Sequence, residues 1–141
     1  MTHLDQPELQ LHNESLLARE RRVAAAALMS ACTLSLVRAF LLPWLMRISP
    51  PNTFPGMDPQ AIQTVGLWTA GLFLLLAAGA TKDPLWPSIA ALVFYLMMSM
   101  PDLLNQPGFL AKGIISKVVM LCILLRALAA GLVYRTMTSD T

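Results

Sequence analysis

Residues 23–46 read VAAAALMSACTLSLVRAFLLPWLM, and the reading of this stretch decides the fold. Its twenty-four residues carry one charge, Arg38, and one proline, Pro43. At about 1.5 Å per residue a helix of this length reaches about 36 Å, beyond the roughly 30 Å of hydrocarbon in a bilayer. An arginine at a helix centre costs about 2.5–3.5 kcal/mol on insertion scales, and each Leu, Ile, Phe or Val returns about 0.3–0.6 kcal/mol. Nine such residues lie in the stretch, so it can enter lipid with Arg38 aboard. A membrane span is expected here, bent or weakened at Pro43, and Arg38 needs an explanation.

The rest of the chain agrees. Of 141 residues, 56% are hydrophobic and 13% charged, with a mean hydropathy of +0.60. Soluble domains carry about 25% charged residues, so this chain has too little polar surface to cover a globule in water. The apolar residues come in blocks: after the first follow 61–80, without a charge, 85–100, the shortest, and 113–134, which carries Lys117 and Arg126. None alternates with period two, and backbone polar groups in lipid must pair within their own segment, so all four are read as helices. The expected fold is all-α: an antiparallel four-helix bundle in a membrane, with a polar cytoplasmic segment 1–22, one membrane domain 23–134 and a tail 135–141.

The connections carry their own signals. Asp58-Pro59 and Asp83-Pro84 each set a capping carboxylate before a proline suited to a helix's first turn. Asn13-Glu14 resembles a further helix start, leading into the first span; the sequon Asn13-Glu14-Ser15 is read as chance. The first loop, ISPPNTFPGMDP, is expected to form a stiff, extended cap. The third, PDLLNQPGFLAK, is expected to dip into the interface around a Pro107-Gly108 turn. Lysines and arginines set the orientation. Arg19, Arg21, Arg22, Lys82 and Arg135 fall at one end, against Arg47, Lys112 and at most Lys117 at the other, which favours both termini inside. Trp44, Trp86 and Tyr134 fall near helix ends, as an aromatic belt requires.

Small residues and buried charges are the candidate functional features. Ala27, Ala31, Ser35 and Ala39 recur every four residues, and Ala127 and Gly131 form a second small pair, both suited to close helix contact. Arg38 lies seven residues after Ala31 and is expected to border that contact. It either snorkels towards headgroups or binds an anion or a partner. Arg126 lies past the middle of its block, with Val119, Cys122, Ala129, Ala130 and Val133 on its face, and an ionisable group at that position is a functional candidate by default. Lys117, near a block end, is expected to snorkel. None of the eight acids falls in a span. The arginines must therefore be met by carbonyls, hydroxyls (Ser30, Thr33, Ser99, Ser116), lipid phosphate, an anionic ligand or the acids of another protein.

Much chemistry is excluded. His3 and His12 lie outside the spans, no metal-ligand spacing occurs, no nucleophile is paired with a base, and no glycine-rich loop is placed to cradle phosphate. Tyr95 is read as core or interface. A net charge of +2 without a basic run gives no reason to expect nucleic acid. No cofactor is expected, and the chain is not expected to be an enzyme. Cys32 and Cys122 are read as small buried hydrophobes. A rival reading takes Arg21-Arg22 and LMSAC as a lipoprotein signal acylated at Cys32; a short apolar run and the apolar residues after Cys32 oppose it.

In length and four-span layout the chain resembles the small multidrug-resistance transporters. Their proton coupling rests on a glutamate in the first helix, and here that helix has no acid, so cation export is not implied. GLFLLLAAGATKDP is similar to the second-helix-and-turn region of DoxX-like bacterial proteins; it covers 14 of 141 residues and no functional one. The expectation is a non-enzymatic accessory or scaffold subunit in a bacterial inner membrane, with lipid and other membrane proteins or its own copies as partners. The alternative is a transporter or channel subunit for an anion or amphiphile that uses the arginines.

Overall fold

The structure, a computed structural model, describes residues 6–51, 56, 58–105 and 109–140, with side chains outside 101–113. Four helices follow in order: α1 (Gln6–Ile48), α2 (Pro59–Ala80), α3 (Leu85–Asn105) and α4 (Phe109–Ser139), with no strand among the described residues. Three stretches, Gln6–Ile48, Pro59–Ala80 and Ile114–Ser139, are long and apolar enough to cross a membrane. The apolar part of α3, Leu85–Met100, is shorter.

Neighbours in the chain are neighbours in space, and α4 closes the ring against α1. Paired contacts show that adjacent helices run antiparallel. On α1 and α2, the Cys32 thiol donates to the Ala70 carbonyl at 3.2 Å, while Ala39 meets Gly66 further along. On α3 and α4, the Ser88 hydroxyl reaches the Ala127 carbonyl at 3.2 Å, and Gly131 lies against Leu85. Phe73 of α2 meets Phe94 of α3 edge to face, with ring centroids 6.4 Å apart. The core is narrow and made largely of small residues. Ala24, Ala31, Ala70, Ala77, Ala80, Ala91, Ala127 and Ala130 are buried around the fully covered Leu28, Phe73 and Leu124. Small side chains let the helix backbones approach closely.

Several boundaries differ from the sequence reading. α1 is helical from Gln6, the first described residue, and runs through Asn13, which therefore caps nothing. Pro7 and Glu8 both suit the early turns of a helix, where a proline loses no hydrogen bond and an acid suits the helix dipole. Between them and Pro43 no glycine or proline stops the helix, and α1 continues past Pro43 to Ile48. The third loop is mostly helix: α3 runs through Pro101 to Asn105 and α4 begins at Phe109, not at Gly113. The Pro107-Gly108 turn, the side chains of Leu103, Leu104, Phe109, Leu110 and Lys112, and residues 52–55 of the first loop lie outside the described residues.

The caps are in register. The Gln60 N–H donates to Asp58 Oδ1 at 3.0 Å, and the Leu85 N–H to Asp83 Oδ1 at 3.2 Å, each across a proline. Four residues, Thr81 to Pro84, join α2 to α3.

Candidate functional site on the outer face of the fourth helix

α4 has two faces. Met120, Leu124, Ala127, Ala130 and Gly131 are buried in the bundle. Val119, Cys122, Arg126, Ala129 and Val133, spaced three and four apart, are exposed along the other side. Ala130, expected on the face of Arg126, belongs to the buried side. Cys122 is on the exposed face and not in the core; only Cys32 is buried, in the middle of α1. Arg126 makes no hydrogen bond or ion pair among the described residues.

Arg38 is also exposed and without a hydrogen bond among the described residues. It borders the α1–α2 contact without entering it. Ala31, Ser35 and Ala39 are buried and Ala27 half-buried, but consecutive residues turn about 100°, which carries Arg38 away from its covered neighbour Ala39. Among the hydroxyls considered as arginine partners, Ser30 and Thr33 donate to Ala26 and Met29 of their own helix, both at 2.9 Å. Lys117 is half-buried, and its carbonyl accepts from the Tyr95 hydroxyl at 3.3 Å, which makes Tyr95 a tie between α3 and α4.

Depth and direction separate the three cations. Arg21 of α1 stacks over the Tyr134 ring, 4.8 Å from its centroid, and donates to the Tyr134 hydroxyl, so these two residues mark one end of the bundle. Arg126 is eight residues back from Tyr134, about 12 Å along the axis. Each Cα–Cβ bond tilts towards its helix's N-terminus. Arg126 therefore leans away from the nearer end of the bundle, and so does Arg38, whose nearer end lies beyond Trp44. Lys117 leans towards its own. Snorkelling suits Lys117 and works against the backbone at both arginines.

The Arg21–Tyr134 pair joins residues 113 apart and was not legible in the sequence, where each was assigned a separate role at the membrane surface. The Arg21 Nε is buried without a hydrogen-bond partner among the described residues. A groove of about 530 Å³ runs along the far end of α1, lined by α1 residues from Val37 to Arg47 and by Gln63 of α2; neither Arg38 nor Arg126 lines it. Among the described residues no three His, Cys, Asp or Glu gather into a metal-binding group. Compared with protein-family models, curated proteins and solved structures, the chain matches none.

Proposed function

We propose that the chain is an integral membrane protein that crosses the bilayer four times with both termini cytoplasmic, in a bacterial inner membrane. In this reading it is a small non-enzymatic accessory or scaffold subunit. The outer face of α4 takes a helix of another membrane protein, and that helix carries a carboxylate at the depth of Arg126. Large apolar side chains face outward on all four helices, among them Phe40, Trp68, Leu75, Met97, Ile115 and Leu132, which suits lipid as solvent. The orientation is supported by Arg19, Arg21, Arg22, Lys82 and Arg135, which lie towards the end that Arg21 and Tyr134 mark. The apolar part of α3, sixteen residues long, reaches about 24 Å, a shortfall that local thinning of the bilayer accommodates.

One observation carries the proposal: Arg126 is outward, deep along its helix and unpaired among the described residues. Two copies meeting symmetrically through this face would bring one Arg126 towards the other, so charge favours a different, acidic partner over self-association. The groove on α1 reaches neither arginine, which weighs against an anion path through them. The test is purification in mild detergent with Arg126 varied. Arg126→Glu should release a stoichiometric partner that Arg126→Lys keeps, with unfolding of the isolated chain little changed by either. A chain recovered alone from the wild type, or a complex indifferent to Arg126→Glu, contradicts the assignment. Anion flux in vesicles abolished by Arg126→Leu would instead favour transport.

A further inference from the structure

The groove at the far end of α1 owes its floor to a proline. Pro43 has no N–H, so the Ala39 carbonyl one turn earlier lacks its usual helical donor, and both residues line the groove. Val37, Phe40 and Leu41 supply most of its apolar lining. Trp44 and Arg47 line it towards the C-terminal end of α1, and Gln63 of α2 completes the lining. Its volume of about 530 Å³ is within the range of small-molecule clefts, about 300–1,000 Å³.

Length, charge and polarity point to one occupant. From Val37 to Arg47 is ten residues, about 15 Å, which is half of a hydrocarbon core of about 30 Å. The groove is therefore one leaflet deep, apolar at its inner end and cationic at its outer end. Asp58, which lies towards that end, does not line the groove, and its carboxylate already accepts from the Gln60 N–H. Gln63 is half-buried four residues into α2 and makes no side-chain hydrogen bond among the described residues. A primary amide at that depth needs an acceptor, and a lipid ester carbonyl provides one.

We infer that this groove seats one anionic phospholipid of the adjoining leaflet, with its phosphate on Arg47 and one acyl chain along Val37, Phe40 and Leu41. The inference rests on the membrane reading of the chain but not on the docking role of Arg126. Native mass spectrometry of the full chain, released from nanodiscs that mix phosphatidylglycerol with phosphatidylcholine, tests it. One phosphatidylglycerol should be retained per chain, favoured over phosphatidylcholine by about tenfold, because both carry a phosphate but the choline ammonium neutralises it and repels Arg47, whereas the glycerol headgroup leaves the anion for the guanidinium. Arg47→Gln should lose that preference. Leu41→Trp, which fills the groove and keeps the charge, should displace the lipid. Lys82→Gln, at the other end of the bundle, should leave retention unchanged. Equal retention of both lipids, or retention unaffected by Arg47→Gln or by Leu41→Trp, overturns the assignment. The membrane reading fails separately, if the chain stays in solution without detergent or lipid.

Discussion

Gly66 and Gly131 are the residues at which the bundle has least room. A Cβ on Gly131 would lie 2.8 Å from the Leu85 Cα and 3.1 Å from the Pro84 carbonyl oxygen, both backbone atoms that cannot rotate away. One on Gly66 would lie 2.5 Å from the Ala39 Cβ, so α1 and α2 would have to part. Gly131→Ala and Gly66→Ala should each destabilise the protein by about 1–3 kcal/mol in denaturant titrations of the detergent-solubilised chain. Gly71 has nothing within 4 Å, and Gly71→Ala should be neutral or stabilising by up to about 1 kcal/mol. Equal effects at all three positions would contradict the packing. Tyr134→Phe keeps the ring under Arg21 and removes only the hydroxyl acceptor, so it should cost less than Tyr134→Ala, which removes both; the difference, about 0.5–1 kcal/mol, is readable in the same titration. The small stripe and the Gly131 pair were visible as spacing. The direction of Arg126 was not, because a helical wheel of α4 shows which residues share a face but not which face the other helices cover.

At the scale of the element, α1 is the outlier. Its 43 residues reach about 65 Å, twice what hydrocarbon requires, and residues 6–15 are exposed throughout, Leu9 and Leu11 included. With no neighbour to bury them, these turns depend on local propensity. Their amides should exchange with deuterium orders of magnitude faster than those of 24–39, which α2 and α4 cover. Uniform protection along α1 would mean that the leading turns are packed against something. Asp58→Ala should fray the first turn of α2 and cost about 1 kcal/mol. Both Asp-Pro caps were legible because capping is local chemistry. The start of α1 was misjudged because Asn13 offers the same acceptor that a cap would use, although the helix already runs through it from Gln6. The segment after Met100 was misjudged for the opposite reason: Pro101 removes one hydrogen bond, and α3 continues through it.

At the scale of the molecule, four apolar blocks and their antiparallel order followed from hydropathy and short connections, because each helix must satisfy its own backbone. The order of contacts around the ring, with α4 closing on α1 through Arg21 and Tyr134, required structure. The separation of the cations into Lys117, which leans towards its nearer end, and Arg38 and Arg126, which lean away from theirs, follows instead from helix polarity and position and was legible without it. Hydrocarbon depth at the outer face of α4 is the central claim, and the protein carries its own probe there: Cys122 is exposed, one turn deeper than Arg126. A nitroxide attached to Cys122 in a Cys32→Ala background, reconstituted in vesicles, should collide readily with oxygen and rarely with a water-soluble nickel chelate. Free collision with the nickel chelate would put this face in water and contradict the account.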